Sequence, residues 1–269
     1  MPSKNYELGP QTPAYLLAID AGNTNINFAV FDGAKIKAKW RVHTDHLRTG
    51  DEYAAMLGLL MQDENIQKKD IKNIIIASVV PQIMIAINKL CSNFFRVKPL
   101  IVGENIKYSV KVKIDNPSEI GADRVVNAVA ARKLYKRSAI IIDFGTATTF
   151  DVIDEKGDYR GGVISPGINL SLSALQEAAA MLPRVWIKKP TKTIATNTKE
   201  AMQSGIYWGY IGLIEGITAR IKAEMKTKPV VIATGGLAPM FGESTKVIER
   251  IEPDLTILGL QEIFSARKN

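Results

Sequence analysis

The chain has 269 residues, of which 46% are apolar, and it carries a formal net charge of +8. This length is enough for two modest domains with their own cores, and no apolar run is long enough to cross a membrane. The first 14 residues lack the apolar centre of a signal peptide, and a single cysteine, Cys91, excludes an intramolecular disulfide. We therefore expect a soluble, cytoplasmic protein with an N-terminal extension at residues 1–14.

The positive charge is dispersed along the chain. Lysines occur singly or in short groups, without the interleaved aromatic residues on which nucleic-acid bases stack. Attraction of anionic small molecules and general solubility explain the charge equally well. We therefore expect neither a nucleic-acid partner nor a membrane partner.

The first predicted element is a β-hairpin that carries an acidic turn. An apolar run from Leu16 to Ile19 ends on Asp20, passes through residues 21–24, and resumes as an alternating pattern at Ile26. The glycine of this turn lets backbone N–H groups approach a phosphate closely, and its Asn and Thr add neutral donors. The pattern predicts a nucleotide-phosphate loop whose Asp faces a metal ion or its water shell.

The remainder of the first half alternates strand and helix patterns. Predicted elements follow at residues 34–42, 51–63, 73–79, 81–95 and 99–102. Cys91 lies within the apolar pattern of the 81–95 helix, so we interpret it as a packing residue. His43 and His46 have no third ligand nearby, which favours an exposed loop pair over a metal site. The alternation predicts an α/β half.

A loop at residues 116–124 leads into a strong helix pattern that places Asp123 and Arg124 in the first helical turn. One interpretation is that the acid favours the helix dipole. The other is that Gly121 and the helix N-terminus form an anion pocket. In that pocket Arg124 would clamp a carboxylate or phosphate, and Asp123 would point at a substrate hydroxyl. The local sequence leaves both interpretations open.

A second acidic turn repeats the design of the first about half a chain later. At residues 138–153 an apolar run again ends on Asp-x-Gly, with Asp143 as the acid, and small hydroxyl residues lead into an alternating strand. Each copy continues through a glycine turn into a third strand. This internal repeat predicts two similar domains that close as a pseudo-two-fold pair on one ligand.

Beyond the second hairpin the pattern predicts a helix at residues 169–180 and a long helix opened by Asn197 and Thr198. Glycines on the long helix invite a close neighbour, and its aromatic cluster at residues 207–210 fits packing or a subunit interface. A buried strand then runs into Thr234 and two glycines, where a flat group such as adenine has room on the backbone. A helix from about residue 238, a short strand at 255–258 and a helix at 261–266 complete the predicted elements.

Six motifs follow one another in order: DAGNT from Asp20, GADR from Gly121, DFGTATTFD from Asp143, GGVISPG from Gly161, NTKEAMQSG from Asn197 and TGG from Thr234. Together they resemble the type III pantothenate kinases, whose superfamily includes acetate kinase, sugar kinases, heat-shock chaperone ATPases and actin. The resemblance covers the chain from Leu16 onward. It implies an α/β fold of two tandem ribonuclease H-like (actin-like ATPase) domains, with mixed sheets flanked by helices, at residues 15–120 and 121–269.

The resemblance also implies a reaction. It is the ATP-dependent phosphorylation of the primary hydroxyl of pantothenate to 4'-phosphopantothenate, the first step of coenzyme A biosynthesis, carried out by a homodimer. The implied cofactors are Mg²⁺ with ATP and a monovalent cation, K⁺ or NH₄⁺. No Gly-x-x-x-x-Gly-Lys-Ser/Thr loop occurs in the chain, so the phosphates cannot be held in the P-loop manner.

The resemblance assigns roles to particular residues. The ATP-binding residues are Asp20, Ala21, Gly22, Asn23, Thr24, Asn25, Ile26, Asn27 and Thr146. The pantothenate-binding residues are Gly121, Ala122, Asp123, Arg124 and, from the partner subunit, Thr198. Asp123 is the implied proton acceptor, Asp143 the ligand of the monovalent cation, and Asp20 the residue near Mg²⁺, directly or through water. The chain has Ile114 where many members carry a substrate-contacting tyrosine.

Two alternatives stay open at the level of the sequence. One is another small-molecule kinase of the same superfamily, acting on a different acceptor. The other is a non-catalytic, nucleotide-binding accessory factor for transcription. The presence of Asp20, Asp123 and Asp143 argues against the second alternative, because a pure binding module has no need of all three carboxylates.

Overall fold

The computed structural model describes residues 14–178 and 182–267. Within them the chain forms two compact units, the first ending at Lys107 and the second beginning at Tyr108. The predicted extension lies outside the described residues except for its last residue, as do residues 179 and 180 of the predicted 169–180 helix. Residues 108–120, which the sequence assigns to the first domain, belong to the second unit, where Lys113 N donates to Tyr159 O at 2.8 Å.

The first unit is built on a mixed sheet. Its described strands are β1 (Tyr15–Ala21), β2 (Asn25–Asp32), β3 (Lys35–His43), β4 (Ile71–Ser78) and β5 (Leu100–Ile101). Their order is β3-β2-β1-β4-β5, in which β1, β2 and β3 are antiparallel neighbours and β4 and β5 run parallel to β1. β1 is buried on both faces, as a central strand must be.

Helices α1 (Gly50–Asp63) and α2 (Met84–Lys89) pack on this sheet, and α2 continues as a π-helical segment, Leu90–Phe95. α1 begins at a capping box, because Glu52 N donates to Thr49 Oγ1 and the Glu52 carboxylate accepts from Thr49 N. Cys91 is fully buried in the same core. This position confirms the interpretation of Cys91 as a packing residue, and burial raises the pKa of its thiol to about 12.

The second unit repeats the sheet topology of the first. Its described strands are β6 (Ala139–Phe144), β7 (Ala147–Ile153), β8 (Tyr159–Pro166), β9 (Val230–Thr234) and β10 (Arg250–Ile251). Their order is β10-β9-β6-β7-β8, in which β6, β7 and β8 are antiparallel neighbours and β9 and β10 run parallel to β6. The hairpin with the acidic turn therefore occupies the same place in both sheets. This confirms the predicted α/β fold of two tandem domains with mixed sheets flanked by helices.

The described helices of the second unit are α3 (Ala122–Tyr135), α4 (Ile168–Ala178), α5 (Thr198–Met225), α6 (Ala238–Gly242) and α7 (Leu255–Ala266). α3 and α7 approach closely because Gly259 has no side chain: a Cβ there would lie 2.2 Å from Val126 O. The predicted strand at 255–258 is wrong, because these residues form the first turn of α7. A short apolar run does not by itself distinguish a strand from a helix.

The 28-residue helix α5 begins as predicted at Asn197, whose side chain accepts from Glu200 N at 3.0 Å. Tyr207 and Tyr210 are buried on it, as expected of packing residues. Among the described residues no helix, α5 included, is both long and apolar enough to span a membrane. Apart from its own backbone, no described atom lies within 4 Å of a Cβ built on Gly205, Gly209 or Gly212. The space beside these three glycines is therefore open among the described residues.

The equivalent outer strands β3 and β8 differ in the side chains that they expose. In β3, side chains with basic groups alternate with buried or half-buried apolar residues. The exposed basic residues are Lys35, Lys37, Lys39 and Arg41. In β8, by contrast, Val163 and Ile164 are exposed. One outer strand is thus cationic, whereas the other presents apolar side chains.

Candidate active site

The first acidic turn joins β1 to β2. Asp20, near the end of β1, is half-buried and accepts a hydrogen bond from Asn27 Nδ2 at 2.9 Å. Gly22 N donates to Asn25 O at 3.0 Å and closes the turn, and the two residues after the glycine are exposed at its tip. The turn thus presents small polar residues beside a carboxylate, which suits a phosphate and its metal ion.

Thr44 fixes the backbone of this turn, although the sequence analysis did not single it out. Its Oγ1 donates to Gly22 O at 2.6 Å, and its N–H donates to Thr24 O at 2.9 Å. Thr44 is buried, as are Ala21 and Ile26 at the flanks of the turn. The shape of the turn is therefore set by contacts within the first unit itself.

The second acidic turn joins β6 to β7 and is one residue shorter than the first. Gly145 N donates to Ala147 O at 3.1 Å, and Thr146 is exposed at the tip. Gly167 N donates to Thr146 O at 3.2 Å, and a Cβ on Gly167 would lie 2.2 Å from that oxygen. Only glycine allows this approach, so the chain after β8 holds the backbone of Thr146 in place.

Asp143, near the end of β6, accepts a hydrogen bond from helix α3. Asn127 Nδ2 on that helix donates to Asp143 Oδ2 at 3.1 Å, and Thr256 Oγ1 on α7 donates to Asn127 Oδ1 at 2.8 Å. Asn127 is fully buried, and both ends of its amide are bonded. The sequence analysis predicted neither Asn127 nor Thr256, and together they orient the Asp143 carboxylate.

Gly235 brings the chain after β9 against the same turn. It has a positive φ of 87°, and a Cβ there would lie 2.8 Å from Asp143 Oδ1 and 2.6 Å from Phe144 O. The glycine makes room for the neighbouring turn, whereas its contact with adenine stays a prediction. Carboxylate and carbonyl oxygens are the ligands that hard cations take, so the residues present fit a monovalent cation.

Asp123 lies in the first turn of α3, which begins after Gly121 at the N-cap position. It is half-buried, and one of its oxygens, Oδ1, accepts from Arg124 N at 2.8 Å. Burial raises the pKa of the Asp123 carboxyl, while the hydrogen bond and the charge of Arg124 oppose this shift. A carboxylate with a raised pKa is a stronger base than an exposed one, which suits a proton acceptor.

The Arg124 side chain is anchored at its Nε atom. Nε donates to Asp151 Oδ1 at 2.6 Å, and Asp151 on β7 is fully buried. A guanidinium group carries further donors on its two Nη atoms, which suit an anionic ligand. Asp151 is the last residue of the DFGTATTFD motif, and an acid between the apolar residues Phe150 and Val152 of a strand is the signal that the sequence analysis passed over.

Helix α3 carries Asp123 and also the asparagine that bonds Asp143. Asp123 and Asn127 are four residues apart, so they lie on the same face of the helix. Asp123 is also close enough to Asp151 for its charge to raise the pKa of that carboxyl, although burial is the larger cause. Ile114 is half-buried beside Gly161, and Thr198 is exposed at the first position of α5.

The described residues contain no group of three or more His, Cys, Asp or Glu side chains that could hold a metal ion. His43 and His46 are both exposed, as predicted. Mg²⁺ needs few protein ligands in a nucleotide site, because one or two carboxylates share it with substrate phosphates and water. Asp20 in the first acidic turn fits this type of site.

Duplicated mixed sheets, each with an acidic turn after its first strand, define the class of actin-like ATPase and sugar-kinase domains. A structure from Campylobacter jejuni, described as a Baf-family transcriptional activator, matches with a TM-score of 0.60 and 16% identity and covers 94% of this chain and 99% of that chain. A structure from Sinorhizobium meliloti, described as a 2-dehydro-3-deoxygalactonokinase, matches with a TM-score of 0.57 and 11% identity and covers 94% and 96%. At these identities the likeness establishes the fold alone.

Sequence comparison identifies the family within this class. The model of the type III pantothenate kinase family matches residues 16–220. Type III pantothenate kinases from Paramagnetospirillum magneticum and Phenylobacterium zucineum are 55% and 51% identical to this chain. The alignments cover 92% and 93% of this chain and 96% and 97% of those proteins. The chain therefore belongs to the type III pantothenate kinase family.

Proposed function

We propose that this chain transfers the γ-phosphoryl group of ATP to the primary hydroxyl of pantothenate, giving 4'-phosphopantothenate in the first step of coenzyme A biosynthesis in the cytoplasm. The observation that carries the proposal is the start of α3, where Asp123, with its raised pKa, lies beside the anchored Arg124. A hydroxyl acceptor needs a base, and an acidic substrate needs a cation. This pair supplies both, and membership of the family supports the same reaction.

At the acceptor end, residues 121–124 bind pantothenate. Asp123 accepts the proton of the hydroxyl as the hydroxyl oxygen attacks the γ-phosphorus in line. The transition state of phosphoryl transfer is loose, so the hydroxyl loses its proton late and a carboxylate is a strong enough base. Arg124 binds the substrate carboxylate through its Nη donors, because its Nε is already bonded to Asp151.

At the nucleotide end, residues 20–27 bind the ATP phosphates and Thr146 contacts ATP. Asp20 would hold Mg²⁺ directly or through water, and the ion would neutralise charge on the phosphates. The hydrogen bonds of Thr44 to both sides of the turn tip support this role. A loop whose donors are fixed beforehand needs no reorganisation when charge develops on the phosphates.

Asp143 would hold the monovalent cation, K⁺ or NH₄⁺. Such an ion supplies positive charge to the phosphate site. The network from Thr256 through Asn127 supports this role, because it fixes the direction of the carboxylate. The Phe144 carbonyl supports it as well: Phe144 O and Asp143 Oδ1 lie 2.6 and 2.8 Å from the same Cβ position built on Gly235.

A homodimer, in which Thr198 of one subunit reaches pantothenate bound by its partner, is part of the proposal. The open space beside the α5 glycines supports it. So do exposed apolar side chains in and after α4: Leu170, Leu175, Trp186 and Ile194, which are 52%, 38%, 63% and 86% exposed. Sedimentation equilibrium tests this part: we expect a dimer for the wild type and a weakened dimer for Gly209→Glu, and a monomeric wild type would contradict it.

The reaction itself is tested with purified protein, ATP and pantothenate in K⁺, NH₄⁺ and Na⁺ salts. We expect phosphorylated pantothenate and ADP in equal amounts, formed faster with K⁺ or NH₄⁺ than with Na⁺. A panel of sugar and carboxylate acceptors is the control. Turnover of one of these without turnover of pantothenate would indicate a related small-molecule kinase. Binding of ATP without turnover of any acceptor would indicate an accessory factor.

A further inference from the structure

Asp151 is a buried carboxylate to which the proposed reaction gives no role of its own. It lies on β7, and none of its surface is exposed. Its position matters because β7 also carries the second acidic turn, and because its main partner is Arg124 of the proposed acceptor site. Burial of a carboxylate is costly unless it is paired and hydrogen-bonded, so the contacts of Asp151 decide what it does.

Each oxygen of the Asp151 carboxylate has at least one partner. Oδ1 accepts from Arg124 Nε at 2.6 Å and from the Tyr159 hydroxyl at 2.9 Å. Oδ2 accepts from Thr149 Oγ1 at 3.2 Å. Burial and the nearby Asp151 charge raise the pKa of Tyr159, so its hydroxyl keeps the proton that it donates. Asp151 is therefore held in one orientation by two strands, β7 and β8.

The guanidinium of Arg124 is confined as well as bonded. It lies over the ring of Tyr159, with 5.7 Å between its central carbon and the ring centroid. Gly162, the register partner of Asp151 in β8, leaves the room that the guanidinium needs: a Cβ there would lie 2.9 Å from Arg124 Nη2. The ring of Tyr159 and the backbone of β8 at Gly162 thus restrict the guanidinium of Arg124 on two sides.

We propose that Asp151 is a positioning residue for substrate recognition: it fixes Nε of Arg124 so that the Nη donors face the carboxylate of the acceptor substrate. Thr149 and Tyr159 in turn fix Asp151. The inference rests on the proposed function, because it gives Arg124 the carboxylate-binding role. A buried ion pair is a weak stabiliser of a fold, since the loss of hydration offsets its attraction, whereas it does impose a defined geometry. A fork of parallel N–H donors binds a carboxylate best when its direction is fixed.

The test compares Asp151→Asn with a matched control. Asp158→Asn removes the charge of another buried carboxylate of the same unit, which pairs with Lys113 Nζ at 2.8 Å. For Asp151→Asn we expect the KM for pantothenate to rise about ten- to a hundred-fold, as for a misdirected charged hydrogen bond, with the KM for ATP unchanged. Asp158→Asn should leave both KM values near those of the wild type. A parallel rise of both KM values in Asp151→Asn would overturn the inference.

A substrate analogue separates positioning from a general effect on the fold. The alcohol analogue, in which a hydroxymethyl group replaces the carboxylate of pantothenate, cannot use the fork of Arg124. We expect the wild type to turn it over with a raised KM, and Asp151→Asn to raise that KM no further. If Asp151→Asn raised the KM for pantothenate and the KM for the alcohol by equal factors, the inference would be overturned, because a structural defect affects both substrates.

A milder variant covers the case in which Asp151→Asn does not fold, as judged by its thermal unfolding. Tyr159→Phe removes only the hydroxyl that holds Asp151, and we expect it to raise the KM for pantothenate about three-fold or more without changing the KM for ATP. An unchanged pantothenate KM would count against the inference. Turnover of pantothenate by the wild type is measured first, since its absence would refute the proposed function together with the inference, whereas unchanged variants would refute the inference alone.

Discussion

In the first unit Asp20 accepts a hydrogen bond from Asn27 on the next strand of its own hairpin, whereas in the second unit Asp143 accepts one from Asn127 on helix α3. The donors are 7 and 16 residues away in sequence, and Asn127 is itself held by Thr256, a further 129 residues along the chain. The two turns have the same place in their sheets, but their carboxylates depend on contacts of very different range.

The comparison indicates how a duplicated fold acquires two different sites. Asn27 on β2 and Thr44 just after β3 donate hydrogen bonds to the first turn, and both belong to the stretch of chain that follows the turn directly. The second turn depends on the packing of α3 against α7, where Gly259 allows the close approach. The second carboxylate is therefore coupled to the C-terminal helix, which lies beyond the residues that the family model matches.

The largest effect is expected from the carboxylate that belongs to neither turn. Asp123→Asn removes the proposed base and keeps the size of the side chain, so kcat should fall by about 10²- to 10⁴-fold. ATP binding should persist, because both turns are intact. Steady-state kinetics and calorimetric titration with ATP check this. A variant that keeps about a tenth or more of the wild-type kcat would show that Asp123 is not the base.

The same carboxylate should determine the acid side of the pH profile. A base works only when it is ionised, and burial raises the pKa of Asp123 above the ordinary value for aspartate of about 3.9. As pH falls through this raised pKa, kcat/KM for pantothenate should fall by about tenfold per pH unit. Rates measured between pH 4 and 8 on folded protein check this. A profile that stays flat down to the ordinary aspartate range would contradict it.

Exchange of each turn's carboxylate for an amide tests whether the two turns bind different ions. In Asp143→Asn we expect equal rates in K⁺ and Na⁺, because the charged cation ligand is lost. In Asp20→Asn we expect the preference for K⁺ to remain and the KM for ATP with Mg²⁺ to rise about tenfold or more. Loss of the cation preference in Asp20→Asn alone would reverse the assignment of the two turns.

Truncation of Asn127 and Asn27, which bond the carboxylates of the two turns, measures how much each asparagine contributes to the free energy of unfolding. Asn127→Ala removes a fully buried amide that bonds both Thr256 and Asp143, so the free energy of unfolding should fall by about 1–3 kcal/mol. Asn27→Ala acts at a half-buried position and should cost about 1 kcal/mol or less. Urea unfolding of both variants checks the difference, and equal losses would remove the contrast between the turns.

The smallest effect is expected at Thr256, which bonds the Asp143 carboxylate only through Asn127. Thr256→Val removes one hydrogen bond to Asn127 and keeps the shape of the side chain, so the K⁺ concentration for half-maximal activity should rise about three- to five-fold. Thr245→Val is the matched control, since its hydroxyl donates at 2.7 Å to Glu215 outside this network. A rise of similar size in the control would attribute the effect to the general loss of a threonine hydrogen bond.

The elements with a clear period were predictable from sequence, because their pattern is local. The strand predicted at 34–42 is β3 (Lys35–His43), and the helix predicted at 51–63 is α1 (Gly50–Asp63). The failure at residues 255–258 has a physical cause: Pro253, Asp254 and Gly259 bound the short run LTIL as they would bound a strand, whereas packing against α3 selects the helix. A run of four residues fits either period, so only the tertiary contact decides.

The site was predictable in its acidic turns and not in their supports. Asp20 and Asp143 can be recognised in the sequence as acids two residues before a glycine, and Asp123 as an acid at a helix start. Their described supports act over longer separations: Thr44 bonds to Gly22 over 22 residues, and Asp151 bonds to Arg124 over 27. A hydroxyl or amide in the sequence has many possible partners, and only the folded chain selects one.

The basic row of β3 has a consequence for the behaviour of the protein in concentrated solution. Its exposed Lys35, Lys37 and Lys39 carry like charges along an outer strand, whose backbone would otherwise be a template for another chain. Electrostatic repulsion between two such strands prevents them from joining into a continuous sheet, which is a common defence against fibre formation. Chemical neutralisation of these lysines, for instance by acetylation, would remove that defence and leave the core untouched.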